Sequence, residues 1–131
     1  MNRMAIKAAF GSAALLLTTS ALAAGDFSRT CRHMDLRHGS VLEATCRSIS
    51  GRPSQTGIQL NNYIANINGQ LRWRRNGNFR ASSRHCELDF VSGVTVLHCD
   101  TQRRNGSWTS SSLTLDERIA NINGALRYER R

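Results

Sequence analysis

The sequence lacks the short motifs on which most enzymes depend. It contains no nucleophile elbow, no phosphate-binding loop and no HExxH zinc motif. Its nine carboxylates are scattered and do not identify the close pair that a glycosidase needs. We therefore expect a protein that is not an enzyme and that uses no metal and no cofactor.

Lysine is almost absent, because Lys7 is the only one in a chain with a formal net charge of +9. Without Arg3 and Lys7, which lie in the leader described below, 16 arginines and nine acidic residues leave a net charge of +7. Guanidinium groups suit carboxylates and phosphates, so anionic polymers and surface polysaccharides are open as partners. The arginines are scattered and form no basic strip, so the sequence does not predict nucleic-acid binding.

Long apolar runs are absent outside residues 1–24. There Arg3 and Lys7 precede Leu15-Leu16-Leu17, and the segment ends in Ala21-Leu22-Ala23. This pattern predicts a signal peptide that is removed on export. A transmembrane anchor is the alternative, but the run is short for a membrane span. We expect a secreted or periplasmic protein with residues 25–131 as one domain and no membrane span after cleavage.

A duplicated stretch organises the rest of the chain. Residues 60–73 read LNNYIANINGQLRW and residues 115–128 read LDERIANINGALRY, with nine of fourteen positions identical at an offset of 55. Such an offset indicates a supersecondary unit that occurs twice, in repeats of about 25–75 and 76–131.

Each copy contains signals for a short helical turn. The isoleucines of Ile64–Ile67, and those of Ile119–Ile122, are three residues apart, which suits one turn of helix. Asn61 and Asp116 stand where this turn would begin, and we expect them to be its N-caps. Asp116 and Glu117 could form an acid–base pair, but their repeat partners Asn61 and Asn62 cannot carry protons.

The remaining segments predict short strands and tight turns. Residues 41–46 alternate Leu42, Ala44 and Cys46, and residues 94–99 alternate Val94 and Val96. The Asn-Gly pairs at 68–69 and 123–124 predict tight turns with positive φ, each followed by another strand. The fold is therefore expected to be mainly β, with no long helix.

Four cysteines in an exported chain allow three disulfide connectivities. Cys31 and Cys86 are 55 residues apart and Cys46 and Cys99 are 53 apart, which a duplication with a short insertion would explain. The repeat favours Cys31–Cys46 and Cys86–Cys99. A zinc site near His85 and His98 is the alternative, but no CxxC or HxxxH spacing supports it.

With these features, the chain resembles the cyanovirin-N homology (CVNH) family over its whole mature length. The resemblance rests on the paired cysteines, the order of elements and two Leu-Asn/Asp-x-x-Ile-x-Asn-x-Asn-Gly-x-Leu motifs. It implies an elongated, pseudo-two-fold symmetric, mainly β fold in which the repeats exchange strands. One lobe would hold both ends of the mature chain and the other the middle. It also implies a lectin that binds high-mannose glycans at a shallow pocket in each lobe, without enzyme chemistry.

The resemblance, carried over residue by residue, implies two carbohydrate-binding sites. The first comprises Asp26, Arg29, Thr30, Arg47, Ile49, Asn121, Ile122, Asn123 and Gly124. The second comprises Ala65, Asn66, Asn68, Asn76, Asn78, Arg84, His85, Asp100, Thr101, Gln102 and Arg104. Short polar side chains of these types can read sugar hydroxyls. The stretch from Phe79 to Cys86 is three residues longer than that from Phe27 to Cys31, so we expect a reshaped wall in the second pocket.

Other interpretations of these residues stay open. The motif asparagines suit tight turns whether or not a ligand binds. A scaffold that has lost sugar binding, or a basic protein that binds anionic polymers, would show the same fold. We expect a monomer with a minor strand-exchanged dimer that opens at residues 73–78.

Overall fold

The computed structural model describes residues 25–130, and the predicted signal peptide lies outside this range. The described chain forms short strands and 3-10 helices of a single turn. In chain order these are η1 (Phe27–Arg29), β1 (Cys31–Arg37), β2 (Val41–Arg47), β3 (Pro53–Gln59), η2 (Leu60–Asn62), β4 (Ile64–Ile67), β5 (Gln70–Trp73), η3 (Phe79–Ser82), β6 (Ser83–Val91), β7 (Val94–Gln102), β8 (Trp108–Thr114), η4 (Leu115–Glu117), β9 (Ile119–Ile122) and β10 (Ala125–Tyr128). The expected mainly β class is confirmed.

The strands form two lobes that do not follow the sequence repeats. The antiparallel sheet β1-β2-β3 is completed by the β9–β10 hairpin, and the sheet β6-β7-β8 by the β4–β5 hairpin. The N–H of Leu126 donates to Oγ1 of Thr56 at 3.0 Å, and that of Leu71 donates to Oγ of Ser111 at 2.9 Å. We call residues 25–59 and 115–130 the terminal lobe and residues 60–114 the middle lobe. The expected strand exchange between repeats is confirmed.

The hydrophobic core repeats the same residues in both lobes. Phe27 and Phe79 follow a left-handed residue at the start of η1 and η3, and both are fully buried. Further pairs in equivalent positions are Leu42 and Leu97, Leu60 and Leu115, Ile64 and Ile119, and Leu71 and Leu126. Burial of each large side chain contributes on the order of 2 kcal/mol, so these pairs hold both lobes in the same geometry.

Aromatic side chains close the junction between the two lobes. The rings of Tyr63 and Tyr128 are stacked with centroids 4.6 Å apart, and Trp73 packs against Tyr128. Nε1 of Trp73 also donates to Oε1 of Glu117 at 3.1 Å. The two copies of the motif therefore contact each other directly, as an exchange of strands requires.

The predicted position of the helical turns is wrong. Ile64–Ile67 and Ile119–Ile122 are strands, and the turns lie four to five residues earlier, where Leu60 and Leu115 anchor them in the core. A helix of one turn is too short to produce a helical periodicity in the sequence. The burial of Leu60 and Leu115 therefore determines where the two turns form.

The expected N-caps are wrong for the same reason. Gln59 and Thr114 occupy the cap positions, and Asn61 and Asp116 lie inside the turns. Oδ1 of Asn61 accepts the N–H of Arg80 at 3.0 Å, and Oδ2 of Asp116 accepts the N–H of Ser28 at 2.9 Å. These side chains thus tie η2 to η3 and η4 to η1.

Both expected disulfides are present. Cys31 bonds to Cys46 and Cys86 bonds to Cys99, and the described chain has no free cysteine. The zinc alternative is therefore wrong, because no thiolate remains to bind a metal ion. Within residues 25–130 no group of three or more His, Cys, Asp and Glu side chains could hold one.

The two disulfides do not occupy equivalent positions, contrary to the expected repeat of the cysteines. The strand pairs Leu36–Leu42 and Leu88–Leu97 correspond, as do the left-handed residues His33 and His85. Counting along these strands places Ser83 and Thr101 where the terminal lobe has its disulfide, and the Cα atoms of that pair face each other.

The middle-lobe disulfide instead lies closer to the hairpin tip, by two residues along β7 and by three along β6, where a β-bulge adds one residue. Cys86 and Cys99 stand where the terminal lobe has Met34 and Ala44. The extra residues of this repeat therefore lengthen the hairpin tip and do not lengthen the segment that precedes β6. The expected change in the pocket wall is wrong.

The alternation of the central strands was assigned correctly in one lobe only. Leu42, Ala44 and Cys46 are buried in β2, as expected. In β7 the buried side chains are Thr95, Leu97, Cys99 and Thr101, whereas Val94 and Val96 lie on the other face.

No helix of the described residues has both the length and the apolar character that a membrane crossing requires.

Candidate functional site

In the terminal lobe, Asn121 fastens the Asn-Gly turn to two other segments. Its Nδ2 donates to Oγ1 of Thr30 and to the carbonyl oxygen of Arg47, both at 2.9 Å. Its Oδ1 accepts the N–H of Gly124 at 2.7 Å. The amide thus joins the β9–β10 turn to the start of β1 and the end of β2.

Asn66 does the same in the middle lobe. Its Nδ2 donates to the carbonyl oxygen of Gln102 at 2.8 Å and to Oγ of Ser82 at 2.9 Å, and its Oδ1 accepts the N–H of Gly69 at 2.7 Å. Both amides therefore use donors and acceptor within the protein. Their hydrogen bonds fix the shape of the lobe end.

The second asparagine of each turn holds the loop that follows the central strand. Oδ1 of Asn123 accepts the N–H of Ile49 at 2.9 Å, and Oδ1 of Asn68 accepts the N–H of Arg104 at 3.1 Å. Asn68 and Asn123 both have positive φ, which asparagine tolerates better than most residues. The four motif asparagines thus have structural roles at both lobe ends.

A compact pocket, here the terminal pocket, lies at this end of the terminal lobe. It has a volume of 170 Å³. The lining residues are Arg29, Thr30, Cys31, Arg32, Thr45, Cys46, Arg47, Gly51 and Pro53. The disulfide forms part of the wall, and hydroxyl and guanidinium groups surround it. Three residues of the first predicted site, Arg29, Thr30 and Arg47, are brought together here.

The other residues of the first predicted site lie around the terminal pocket or away from it. Asn121 supports it through Thr30 and Arg47, whereas Gly124 packs against Ser54. The remaining ones are outside its lining: Asp26, Ile49, Ile122 and Asn123. Sequence reasoning missed the neighbours that complete the lining: Arg32, Thr45, Gly51 and Pro53.

A pocket at the same end of the middle lobe, here the middle pocket, has a volume of 330 Å³. It is lined by Asn66, Ile67, Asn68, Arg74, Ser82, Gln102, Arg103 and Arg104. Four of these belong to the second predicted site: Asn66, Asn68, Gln102 and Arg104. Ser82, Arg103 and Arg74 were missed, although Ser82 stands at the position of Thr30 once the repeats are aligned on Phe27 and Phe79.

Several residues of the second predicted site lie elsewhere. Arg84, His85 and Asp100 are on the outer face of the β6-β7-β8 sheet. The guanidinium carbon of Arg84 lies 3.8 Å from the ring centroid of Trp108. Nδ1 of His85 and Oδ2 of Asp100 are 2.8 Å apart, and this hydrogen bond lowers the pKa of Asp100 below its ordinary value.

The others are occupied by internal contacts. Thr101 is fully buried, and its hydroxyl donates to the carbonyl oxygen of Gly69 at 2.7 Å. Asn78 pairs with the buried Ala65, and the N–H of Asn76 donates to the carbonyl oxygen of Asn62. The displacement of Asp100 and Thr101 follows from the two-residue shift of the disulfide, because the prediction was aligned on the cysteines.

A long groove, here the side groove, adjoins the middle pocket and runs between β5 and β8. It has a volume of 730 Å³ and shares Asn68 and Arg103 with the middle pocket. Its lining consists of Asn68, Gly69, Gln70, Leu71, Arg72, Arg103, Thr109, Ser110, Ser111 and Ser112. Hydroxyl, amide and guanidinium groups dominate it, so it can form many hydrogen bonds with a polar chain.

The geometry can now be compared with that of known proteins. The family model of the CVNH domain matches residues 27–127. The chain belongs to the CVNH family. The matched range contains both disulfides, both Asn-Gly turns and both pockets, so it covers the features on which the family resemblance rested.

Solved CVNH structures have the same fold. A CVNH protein of Gibberella zeae, solved by NMR, is 27% identical with a TM-score of 0.74, and the match covers 81% of this chain and 99% of that one. Microvirin, solved as a complex with mannobiose, is 29% identical with a TM-score of 0.70, covering 79% and 98%. The Mo0v variant of MoCVNH3, in complex with (N-GlcNAc)4, is 28% identical with a TM-score of 0.73, covering 80% and 97%.

Proposed function

We propose that this CVNH chain is a lectin, which binds oligosaccharides without changing them chemically. The observation that carries the proposal is the pair of polar pockets at equivalent ends of the two lobes, each supported by a half-buried asparagine amide next to an Asn-Gly turn. Two family members of similar structure were solved with saccharides bound, mannobiose in one and (N-GlcNAc)4 in the other.

Mannose-type oligosaccharides are the ligands that we assign to the terminal pocket. The hydroxyls of Thr30 and Thr45 can donate and accept, and the guanidinium groups of Arg29, Arg32 and Arg47 can donate to sugar oxygens. A volume of 170 Å³ is below the ~300 Å³ of typical small-molecule sites. The pocket therefore suits one sugar ring of a longer glycan.

Affinity for single sugars is expected to be weak. A shallow pocket buries little surface and leaves several hydroxyls in water, so the gain hardly exceeds the entropic cost of association. A branched glycan that reaches two sites would bind more tightly through its effective concentration.

We propose an extracytoplasmic setting, which the predicted leader and the disulfides support. Two disulfides persist in an oxidising compartment, which agrees with export by a signal peptide. We therefore place the protein outside the cytoplasm, in the medium or the periplasm. It acts there as a non-enzymatic monomer with a minor strand-exchanged dimer.

A glycan array followed by calorimetry tests the lectin proposal. Mannobiose and longer oligomannose should bind, and the affinity should change little with ionic strength because the ligand is neutral. The variant R47S should weaken binding, whereas R52S, an exposed residue outside the pocket lining, should not. Absence of heat with every neutral oligosaccharide would contradict the proposal.

A further inference from the structure

Four arginines converge on the side groove and the middle pocket. Arg72 and Arg103 line the groove, and Arg74, Arg103 and Arg104 line the pocket that joins it. No carboxylate lines either cavity. Within residues 25–130 the ion pairs join Arg37 to Glu43 and His85 to Asp100, so none of the four arginines is neutralised by a carboxylate of this range.

Strand β8 adds a wall of hydroxyl groups. Oγ of Ser111 accepts the N–H of Leu71, and Oγ of Ser112 lies 2.9 Å from Nδ1 of His98, so these two have partners within the fold. Thr109 and Ser110 lie beside them in the lining. Hydroxyl groups can both donate hydrogen bonds to sugar hydroxyls and accept hydrogen bonds from them.

The equivalent region of the terminal lobe has an arginine, Arg127, at the position of Arg72 but has none at the positions of the other three. The residues in the positions of Arg74, Arg103 and Arg104 are Glu129, Ser48 and Ile49, which make the same backbone hydrogen bonds. The outer part of that sheet has a cavity lined by Glu43 and Arg37, which pair with each other. Because the terminal lobe folds with Glu129, Ser48 and Ile49 at these positions, folding alone does not require the three arginines of the middle lobe.

We infer that the side groove binds an acidic polysaccharide chain. The inference rests on the proposed lectin function and specifies a second ligand class for the middle lobe. Guanidinium groups bind the carboxylate or sulfate groups of the chain in bidentate fashion, while the β8 hydroxyls and Gln70 bind its neutral hydroxyls. The volume of 730 Å³ lies in the range of small-molecule binding sites in proteins, about 300–1,000 Å³.

The groove chemistry favours a saccharide over nucleic acid. Single-stranded nucleic acid is held by stacking of its bases on aromatic side chains, and no aromatic residue lines the groove or the middle pocket. Sugar rings with ionised substituents need hydrogen bonds and charge, which the groove supplies.

Two double variants with the same change in net charge test the inference. R72S/R103S removes two arginines from the groove, and the control R52S/R127S removes two exposed arginines that line none of the four cavities described above. Arg127 is also the repeat counterpart of Arg72. Calorimetry of the wild type and both variants uses a galacturonic acid hexamer, a heparin hexasaccharide, mannobiose and a short single-stranded DNA, at two salt concentrations.

The acidic oligosaccharides should bind the wild type and lose about tenfold or more in affinity in R72S/R103S, because each arginine makes charge-assisted hydrogen bonds. The slope of log affinity against log salt should fall by about one for each arginine removed. The control should stay close to wild type. Binding of only the hexuronate assigns carboxylates as the ligand, and binding of only heparin assigns sulfates.

Equal losses in both double variants would overturn the inference, because they would show attraction to net charge alone. Failure of both acidic ligands to bind, or tighter groove-dependent binding of the DNA, would also overturn it. Mannobiose tests the lectin proposal separately. If it binds no variant while the hexuronate needs Arg72 and Arg103, the neutral-sugar function fails and the groove inference stands.

Discussion

The two lobes share the same backbone fold and core residues but differ in several other side chains. Both have the buried phenylalanine, the asparagine amide that joins three segments and the Asn-Gly turn. They differ in the place of the disulfide, in the buried acid of η4 and in the arginines beside the pocket. The motif and the core therefore define the fold, whereas the residues between them determine how the two lobes differ in charge and hydrogen bonding.

The largest expected effect concerns the disulfides. Each closes a loop of similar length, with sequence separations of 15 and 13 residues, so loss of either should reduce the free energy of unfolding by about 3 kcal/mol. Each disulfide can be replaced by the residue types that occupy the equivalent positions of the other lobe. C86M/C99A copies Met34 and Ala44 of the terminal lobe, and C31S/C46T copies Ser83 and Thr101 of the middle lobe.

Urea unfolding of the two double variants measures this. Similar losses would show that loop length, and not position in the hairpin, determines the contribution of each bond. An unchanged unfolding midpoint in either variant would show that the disulfide of that lobe does not stabilise it.

A smaller difference is expected between Asp116 and Asn61, which occupy equivalent positions. Asp116 is buried, and its carboxylate accepts the N–H groups of Ser28 and Thr95 and the hydroxyl of Ser28. Asn61 accepts the N–H of Arg80. D116A leaves two backbone donors unsatisfied and should cost about 3 kcal/mol, whereas N61A should cost about 1 kcal/mol.

Chemical denaturation of D116A and N61A compares the two turns under the same conditions. If N61A were as destabilising as D116A, the buried acid would not be what distinguishes the η4–η1 contact from the η2–η3 contact.

The smallest effect concerns pH. The hydrogen bond from His85 lowers the pKa of Asp100, and Arg84 acts in the same direction. Since the folded pKa is below the unfolded one, the carboxylate contributes stability above the ordinary pKa of 3.8, and this is lost as pH falls through the folded value. The pair is exposed, so the effect on unfolding is slight.

NMR titration of the Asp100 carboxyl is the direct measurement. H85A should raise its pKa toward the ordinary value. In the terminal lobe the counterpart of Asp100 is Thr45, so H33A should change no carboxyl titration in this way. An unchanged Asp100 titration in H85A would contradict the assignment of the shift to His85.

Much of the fold could be predicted from the sequence, because the repeat is explicit. The Asn-Gly pairs require positive φ, so both tight turns and the strands after them were placed correctly. The cysteine pairing followed from treating both halves alike. The helical turns were misplaced since four residues, Ile64–Ile67, are too few to distinguish a strand from a turn, and both Ile64 and Ala65 are buried.

The candidate site was harder to predict, for a reason that lies in strand geometry. Moving a disulfide by two residues along β7 and by three along the bulged strand β6 keeps both cysteines on the inner face, because side chains alternate with period two and the bulge adds one residue. The sequence therefore cannot show such a shift when cysteines are used to align the repeats. Alignment on Phe27 and Phe79 shows it for β1 and β6, and the strand pairing then puts Gln102 and Arg103 at the middle pocket in place of Asp100 and Thr101.

The most direct test of the two-lobe account is an NMR map of backbone amides during titration with two ligands. Mannobiose should shift the signals of Arg29, Thr30 and Arg47 at the terminal pocket. A galacturonic acid hexamer should shift those of Arg72, Arg103 and Ser110 along the side groove. If both ligands shift the same residues, or if neither produces shifts that saturate at one lobe, the account is contradicted.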